Sequence, residues 1–423
     1  MIGRRKMSGF PALMSVDEAL EIVMRHLSIK IEVDETTLED ALGMIAGEDI
    51  RASFDVPPLD RSAVDGYAVV ASDTISATPT NVVDLELIGR SEAGSRPQDL
   101  PIIASGKCAE IFTGGPLPSG ANAIVMVEHA KRVNDRVMIF RPVAPWQNVS
   151  RKGEDFTIGD IIVGKGTKLK PWHIGALASV NVVKIPVQRR LKIAVLSTGG
   201  ELKEPGEKVE AGEILNSTKP MLKALIRDRG CTPIDLGTVP DELAMIKAEI
   251  AHGLKVADLV LTTGGTSLGE KDLVPEAVNE LGKPGVVVHG VSIRPAKPTG
   301  VGFIGTKPIF ILSGYPVAAL IGFEALVDPA VNRMQATPPE AKPVVRAKLA
   351  RRIATTVGVR SYVRVRLHRV DDGYIADPLR LTGSGILSSM TKANGILIAD
   401  EQLEGYDEGD EVEVTVIQPI DEI

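Results

Sequence analysis

The chain has 423 residues, more than one ordinary hydrophobic core organises, so we expect two to four domains. Its contents of 44% hydrophobic and 24% charged residues are typical of a soluble globular protein. The formal net charge of −7 and the 4% aromatic content argue against a nucleic-acid-binding protein, and the charge means that an anionic ligand needs local cations.

Cysteine and histidine usage limits the metal and redox chemistry. The two cysteines, Cys108 and Cys231, lack metal-ligand spacing and form no disulfide framework, so we expect a reducing, cytoplasmic setting. The six histidines show no HxxxH or HExxH pattern, which argues against a zinc site. The basic N-terminal stretch does not resemble a signal peptide, and the apolar stretch 309–327 favours a strand, turn and helix over a membrane span.

The first part of the chain changes from helical to β character. Residues 15–18 match a capping box and predict a helix over residues 16–27. A second helix is predicted over Thr37–Met44, and the Pro-containing stretch 55–58 marks a boundary. Short apolar runs separated by turns from residue 81 to residue 142 then predict a small β domain or barrel.

The second part begins with an irregular segment and ends in β structure. Residues 147–166 are polar and glycine-rich, and residues 173–180 predict a short helix. From residue 191 to about residue 335, strands alternate with helices, which indicates a parallel α/β sheet. A Pro-rich linker follows. The remaining tail alternates apolar and polar residues, so we expect a separate domain of half-buried antiparallel sheet.

Three predicted strands of the α/β region end in loops rich in glycine and hydroxyl groups. Their sequences are LKIAVL followed by STGGE, ADLVLT followed by TGGTSLGEKD, and PIFIL followed by SGYP. Parallel strands place such loops at one edge of the sheet, where ligands bind in doubly wound folds. The pattern therefore favours a ligand site, although each loop alone is equally well explained as a structural turn.

Charged residues near these loops suit an anion and a divalent cation. Glu270 and Asp272 follow the second loop, and Asp241 lies with Glu242 in the predicted strand end 236–242. Arg294 and Lys297 lie between prolines in IRPAKP, where a guanidinium can fork onto phosphate oxygens and an ammonium can act as a point charge. Solvated acids and a solvated basic turn remain the alternatives.

The assembled motifs resemble the molybdopterin molybdenumtransferase family, the MoeA-like proteins that include the gephyrin E domain. The resemblance extends over nearly the whole chain. It depends on the motifs PPLDRSAVDGYAV, EIFTGGPLPSGANAIVMVE, RKGEDFTIGD, AVLSTGGEL, NSTKPMLKAL, LTTGGTSLGEKD, IRPAKP and LSGYPVAAL, all in this order.

The resemblance implies a multidomain α/β plus β fold with four regions in an elongated homodimer. An elongated split α/β region would comprise residues 11–54 and 147–186, and a β-rich lid domain residues 55–146. A parallel-sheet molybdopterin-binding domain would span residues 187–337, and a C-terminal β-barrel-like domain residues 338–423. The cleft would combine the lid of one subunit with the α/β domain of the other.

The implied activity is the insertion of molybdate into adenylylated molybdopterin, with release of AMP and the help of Mg²⁺. By resemblance, the catalytic residues are Asp65, Thr113, Asp155, Glu201, Asp241 and Asp272. The last four are the expected metal ligands, and Glu270 competes with Asp272 for its place. The residues expected to bind the cofactor or its anionic groups are Thr198, Gly199, Gly264, Gly265, Thr266, Ser267, Arg294, Lys297, Ser313, Gly314 and Pro316.

Four departures from the family pattern leave the metal and the oxyanion open. Gly200 stands where the family has Asp, and Arg61 where Asn is usual. Arg294 replaces Lys, and Ala296 replaces Gly. Tungstate insertion, molybdopterin adenylylation and a non-catalytic cofactor-binding or scaffold role remain alternatives. Expected partners are a small-molecule pterin nucleotide and an oxyanion, with neither nucleic acid nor membrane. A transient contact with the upstream adenylyltransferase is left open.

Overall fold

The computed structural model describes residues 13–29, 31–265, 273–371, 373–379 and 383–422. The chain forms two compact units: residues 33–187 form one, and the segments on either side of it form the other. No helix in the described ranges is long and apolar enough to cross a membrane. The predicted fold class, a multidomain arrangement of α/β and β parts, is confirmed.

The first helix, α1, spans Val16–His26, and its N-terminus has the predicted capping box. Ser15 Oγ accepts a hydrogen bond from the Glu18 N–H, and the Ser15 N–H donates to Glu18 Oε2 at 3.0 Å. The buried face of α1 includes Val16, Ala19 and Val23, which join the hydrophobic core beneath the α/β sheet. Helix α1 thus packs with the α/β unit, although the predicted partition assigns residues 11–54 to the elongated region.

The predicted helix over Thr37–Met44 is wrong. Strand β1 (Val33–Thr37) occupies its start, and only a single 3₁₀ turn follows, at Glu39–Ala41. Thr37 Oγ1 donates to Asp40 Oδ2 at 2.8 Å and accepts the Asp40 N–H, so the polar side chains close a turn locally. Gly43 then adopts a positive φ of 76°, which ends any helical continuation.

The unit of residues 33–187 contains the predicted β domain and the short helix α2 (Pro171–Ser179). A six-stranded sheet has the order β7-β4-β6-β5-β9-β8, and its interior strand β4 is buried along its whole length. Small two-stranded sheets complete the unit. Its remaining strands are β2 (Ile50–Arg51), β3 (Arg61–Ser62), β4 (Gly66–Val69), β5 (Val83–Ser91), β6 (Lys107–Ile111), β7 (Ala123–Met126), β8 (Ala130–Val133), β9 (Arg136–Ile139), β10 (Val149–Ser150), β11 (Ile161–Val163) and β12 (Lys184–Gln188).

The other unit contains a six-stranded α/β sheet of order β16-β13-β17-β21-β20-β18. Strands β16, β13, β17 and β21 are parallel, and β20 and β18 add an antiparallel edge. The elements are β13 (Lys192–Thr198), β14 (Leu202–Lys203), β15 (Ile214–Leu215), α3 (Thr218–Asp228), β16 (Thr232–Val239), α4 (Leu243–Val256), β17 (Leu259–Thr263), α5 (Leu273–Leu281), β18 (Pro284–His289), β19 (Ile293–Arg294), β20 (Gly300–Ile304), β21 (Lys307–Leu312), α6 (Pro316–Gly322), a π-helical turn (Phe323–Val327) and α7 (Asp328–Gln335).

Helices cover both faces of this sheet, which explains why its strands read as continuous apolar runs. One core joins the sheet to helices α1, α3 and α6, and the other joins it to α4 and α5. Fully buried side chains such as Ile193, Leu261 and Phe310 each contribute about 1.5–3 kcal/mol by leaving water. The rigid sheet fixes the positions of the loops at its carboxyl edge.

The C-terminal part forms a closed five-stranded barrel, β24-β25-β22-β28-β26, in which β26 pairs again with β24. The expectation of an antiparallel sheet is wrong for two pairs, because β22 and β25 are parallel within the barrel and β29 pairs in parallel with β24 outside it. An odd number of strands cannot alternate in direction around a closed ring, so one parallel pair is required. The elements are β22 (Val344–Leu349), β23 (Ile353–Ala354), β24 (Arg360–Val370), β25 (Gly373–Pro378), α8 (Ser388–Lys392), β26 (Gly395–Ala399), β27 (Gly405–Tyr406), β28 (Glu411–Val416) and β29 (Asp421–Glu422).

Candidate functional site

The four parallel strands end together at one edge of the α/β sheet, as the loop pattern predicts. Strand β13 ends at Thr198, β16 at Val239, β17 at Thr263 and β21 at Leu312. The predicted site residues of this unit that follow these ends directly are Gly199, Glu201, Asp241, Gly264, Gly265, Ser313, Gly314 and Pro316. The sheet therefore brings them to one edge.

The loops after β13 and β17 approach so closely that only glycine fits between them. A Cβ on Gly264 would lie 2.4 Å from the carbonyl oxygen of Thr198, and Gly264 has a φ of +90°. Gly265 also has a positive φ, of 64°. The Gly264 N–H donates to the Leu312 carbonyl, and the Gly199 N–H to the Val239 carbonyl. Those two N–H groups thus tie neighbouring strands together.

Thr198 presents an unused hydroxyl at this junction. The residue is 3% exposed, and its Oγ1 has no hydrogen-bond partner in the part of the chain that the structure describes. A Cβ on Gly265 would lie 3.1 Å from that oxygen. A buried hydroxyl without a partner is costly, so Thr198 offers a hydrogen bond to a ligand that enters the loop junction.

Two predicted metal-binding carboxylates lie on adjacent strand ends. Glu201 is exposed, and a Cβ on Gly199 would lie 2.9 Å from either of its carboxylate oxygens. The carboxylate therefore folds back over Gly199 toward the sheet edge. Asp241 is exposed two residues beyond β16. Gly200, which stands where the family pattern has Asp, has open space around its Cα.

A polar network beneath these loops escaped the sequence analysis. Asn216 Nδ2 donates to Ser197 Oγ at 3.0 Å and lies 3.4 Å from Thr238 Oγ1. Thr238 Oγ1 in turn donates to Glu204 Oε1 at 2.7 Å. NSTKPMLKAL reads as a capped helix, but the N-cap residue Ser217 makes no side-chain capping bond, and Asn216 Oδ1, one residue earlier, accepts the Lys219 N–H at 3.1 Å. The tertiary contacts of the same side chain have no signal in the local pattern.

Lys219 is the cation of this network. It is 4% exposed, and its Nζ lies 2.7 Å from Glu204 Oε1 and 3.3 Å from Asp235 Oδ1. Burial raises the pKa of Glu204, but the bonds from Lys219 and Thr238 outweigh it, so that this pKa falls below its usual value. Burial also raises the pKa of Asp235, but the interactions that lower it, of which the hydrogen bond from Lys223 is the largest, outweigh burial, and this pKa too falls below its usual value.

The predicted cations Arg294 and Lys297 lie on the segment between β18 and β20, which pairs with the barrel through β19. Strand β19 pairs in parallel with β24, and the side chains of Arg294 and Lys297 are exposed. Ala296, where the family pattern has Gly, adopts a φ of +102°, a conformation that glycine adopts without strain.

Arg364 is a third cation here, and sequence reasoning missed it. It is buried on β24, and burial together with the positive charge of Arg294 lowers the pKa of its guanidinium. The alternation of SYVRVRLHRV places Arg364 on the polar face, together with Tyr362 and Arg366. The first half of β24 is nevertheless buried on both faces, which alternation alone could not predict.

The C-terminal turn of TGSG contacts the loop after β21. The Val317 N–H donates to the Ser384 carbonyl at 3.1 Å, and a Cβ on Gly385 would lie 3.1 Å from the Tyr315 ring. Thr218 Oγ1 donates to the Gly314 carbonyl at 2.7 Å. The barrel therefore reaches the same sheet edge. Thr382 of this turn lies outside the described residues.

Asp65 and Thr113 contact each other within the unit of residues 33–187. Asp65 Oδ1 accepts hydrogen bonds from both the N–H and the Oγ1 of Thr113, each at 2.7 Å. These bonds hold the pKa of Asp65 below its usual value. Asp155 is exposed in the same unit, where its N–H donates to the Val56 carbonyl at 3.0 Å.

Four predicted residues, Thr266, Ser267, Glu270 and Asp272, lie outside the described residues. Within the described ranges, no group of three or more His, Cys, Asp or Glu side chains is arranged to hold a metal ion. The set Asp155, Glu201, Asp241 and Asp272 therefore stays a prediction. Of these four, Glu201 and Asp241 are described at the edge of the α/β sheet.

Comparison with known families accounts for most of the chain. The model described as "MoeA N-terminal region (domain I and II)" matches residues 14–181. The model described as "Probable molybdopterin binding domain" matches residues 194–333. The model described as "MoeA C-terminal region (domain IV)" matches residues 346–417.

Individual relatives match over nearly their whole length. The molybdopterin molybdenumtransferase of Bacillus subtilis is 32% identical over 407 residues, covering 95% of this chain and 94% of that protein. A solved molybdopterin biosynthesis MoeA protein of Pyrococcus horikoshii OT3 superposes with a TM-score of 0.82 at 32% identity, covering 96% of this chain and 100% of the other. A second Pyrococcus MoeA structure gives a TM-score of 0.81 at 36% identity, covering 96% and 99% of the two chains.

Proposed function

The chain belongs to the MoeA family, and from that premise we propose that it is a molybdopterin molybdenumtransferase of molybdenum cofactor biosynthesis. It inserts molybdate into adenylylated molybdopterin and releases AMP. The observation that carries this conclusion is the edge of the α/β sheet, where four parallel strand ends meet a buried, unused hydroxyl, two exposed carboxylates and the C-terminal barrel.

The cations of this unit suit the anionic substrates. The protein has a net charge of −7, so a molybdate or pyrophosphate group needs local positive charge. Arg294 and Lys297 supply it on an exposed segment, and Arg364 adds a buried guanidinium close to Arg294. We assign the oxyanion to this group, because a guanidinium presents paired N–H donors to the oxygens of such an ion.

The loops at the sheet edge would hold the pterin nucleotide. Thr198 Oγ1, which has no partner among the described residues, would donate a hydrogen bond to the ligand at the junction between the loops of β13 and β17. Gly264 lets those loops approach each other without a side chain between them. The turn Ser313–Pro316, held by Thr218 and by Ser384, forms the next wall. The proposed roles of Thr266 and Ser267 rest on the family resemblance alone.

The carboxylates suit Mg²⁺, which we propose as the assisting ion. Glu201 and Asp241 offer oxygen donors that are open to water, and Mg²⁺ prefers oxygen ligands and keeps several waters. By resemblance, Asp155 and Asp272 complete the set. When bound, the ion would neutralise phosphate charge during cleavage of the pyrophosphate bond. Asp65 and Thr113 are assigned to the lid side of the reaction by resemblance, and their mutual hydrogen bonds hold the Asp65 carboxylate ionised.

The assembly and the setting are also proposals. We propose a homodimer, which light scattering at twice the 45.0 kDa chain mass would support and a purely monomeric protein would contradict. A reducing, cytoplasmic setting accords with two cysteines that are free and buried, Cys108 and Cys231. Burial raises the pKa of each thiol to about 12, so both stay protonated and unreactive.

Asp272→Ala tests whether the protein is an enzyme or a non-catalytic scaffold. If Asp272 is a metal ligand, AMP release should fall by orders of magnitude while the oligomeric state and the unfolding temperature stay unchanged. The matched control is Asp228→Ala, which removes an exposed carboxylate at the end of α3. Full activity of Asp272→Ala would overturn the metal-site assignment.

A further inference from the structure

Residues 216–219, at the start of α3, tie together the carboxyl ends of all four parallel strands. Asn216 contacts Ser197 of β13 and Thr238 of β16. Ser197 Oγ shares a hydrogen bond of 3.0 Å with Thr263 Oγ1 of β17. Thr218 Oγ1 donates to the Gly314 carbonyl just beyond β21. One short segment therefore connects every strand end from which a ligand loop departs.

Lys219 closes this network with charge. Its buried ammonium bridges Glu204, in the loop after β13, and Asp235 of β16. It also lies 3.4 Å from Thr238 Oγ1, which itself donates to Glu204. The Lys219 ammonium and the Thr238 hydroxyl thus hold the end of β16 to the loop that follows β13.

The held residues lie close in sequence to the candidate metal ligands. Glu204 follows Glu201 by three residues, and the intervening strand β14 is paired with β15. Thr238 precedes Asp241 by three residues. A shift of Glu204 relative to Thr238 would therefore displace Glu201 relative to Asp241. Removing one partner of a buried ion pair leaves an uncompensated charge, which favours such a shift.

We propose that Lys219 is a positioning residue: acting through Glu204 and Thr238, it sets the separation of the Glu201 and Asp241 carboxylates. Asn216 supports the same arrangement through its bonds to Ser197 and Thr238. This inference rests on the proposed function, because it takes those two carboxylates to hold the assisting Mg²⁺. The Lys219 ammonium bonds to Glu204, Asp235 and Thr238, and it acts through them.

The test compares Lys219→Met with Lys223→Met, which removes the same charge from the same helix. Lys223 pairs with Asp235 Oδ2 at 2.6 Å from a more exposed position. For Lys219→Met we expect kcat/KM for AMP release to fall by about 10- to 100-fold, the scale of a misplacement near 1 Å. The Mg²⁺ concentration for half-maximal rate should rise about tenfold. We expect Lys219→Arg to recover most of both quantities, and Lys223→Met to change each by less than about twofold.

Thr238→Val provides a second variant that removes no charge. It deletes the hydroxyl that links Asn216 to Glu204, so the same Mg²⁺ shift should appear at a smaller size even if Lys219→Met fails to fold. Equal Mg²⁺ dependence in the wild type and Thr238→Val, or equal shifts in Lys219→Met and Lys223→Met, would overturn the proposal.

Hydrogen exchange separates this inference from the proposed function. In Lys219→Met, the amides of residues 199–204, 238, 239 and 241 should exchange faster than in the wild type, and those in Lys223→Met should not. This readout holds even if the wild type releases no AMP, a result that would contradict the proposed function alone. Unchanged exchange in both loops would refute the positioning role of Lys219, whatever the activity.

Discussion

At the scale of single residues, the site depends on close approach and on paired polar groups more than on any one motif. Gly264 fits against the Thr198 carbonyl because it has no Cβ, and Thr198 keeps a buried hydroxyl available for a ligand. Asp65 gains two hydrogen bonds from one threonine. Each contact predicts a measurable effect of removing or adding a few atoms.

Gly264→Ala should displace the loop after β17. Its Cβ would lie 2.4 Å from the Thr198 carbonyl oxygen, so the backbone must shift, in addition to the strain of a positive φ. We expect a loss of about 1–3 kcal/mol in stability and at least tenfold weaker binding of the pterin nucleotide. Thermal unfolding and calorimetry measure the two effects.

Gly305→Ala is the matched control, because Gly305 has a φ of +61° with open space around it. It should cost only the backbone strain, about 1–2 kcal/mol, and leave pterin binding intact. Similar binding by the two variants would show that the contact between the loops of β13 and β17 does not shape the site.

Thr113→Val should raise the pKa of Asp65 toward its usual value, because the hydroxyl bond is lost and the backbone bond remains. A lowered pKa in the folded state stabilises the protein above the unfolded pKa of about 3.9, and that stability is lost as the pH falls through the folded pKa. The stability difference between the variant and the wild type should therefore be constant above about pH 5 and shrink below about pH 4.

The Asp65 titration can be followed directly by NMR of its carboxyl carbon. Thr157→Val is the control, since Thr157 Oγ1 donates to Asp160 in the same way, at 2.8 Å. It should raise the pKa of Asp160 and leave that of Asp65 unchanged. An Asp65 pKa that is insensitive to Thr113→Val would contradict the assigned cause.

At the scale of elements, the sequence predicts those segments whose local signals agree with their packing. The capping box of α1 and the apolar runs of β13, β17 and β21 are confirmed because helix capping and burial on both faces act locally. The helix predicted over Thr37–Met44 is wrong because the single turn at Glu39–Ala41 goes no further: Gly43 follows with a φ of +76°, outside the helical region. The parallel pair in the barrel follows from closure, which is a property of all five strands together.

The candidate site likewise contains residues that the sequence predicts and residues that it does not. Glycines and carboxylates at strand ends can be read from the sequence, because each follows an apolar run directly. Asn216, Lys219 and Arg364 could not be found in this way, since their partners lie on other strands and no local pattern records those pairings. Buried polar groups are the part of a site that only tertiary structure defines.

Ser15→Ala should weaken α1 and the core that it covers. The substitution removes the capping hydroxyl that accepts the Glu18 N–H, which costs about 1 kcal/mol of stability. Ser28→Ala, at an exposed position just beyond the helix, should change stability by less than about 0.5 kcal/mol. Chemical denaturation checks both values, and equal effects would show that the capping box is not stabilising.

At the scale of the whole molecule, the predicted site residues are distributed over two compact units. The unit of residues 33–187 holds Asp65, Thr113 and Asp155, and the other unit holds the sheet edge, the cations and the barrel. Each unit has its own buried cores, so each can hold its own predicted residues in place.

The measurement that most directly tests whether the protein is a molybdenumtransferase is turnover of the purified full chain. Protein would be incubated with adenylylated molybdopterin, Mg²⁺ and either molybdate or tungstate, and both AMP release and metal incorporation would be followed. We predict AMP release coupled one to one with molybdenum incorporation, and the rate with tungstate would give the oxyanion preference. Tight binding of the pterin nucleotide without AMP release from either oxyanion would contradict the account and favour a cofactor-binding role.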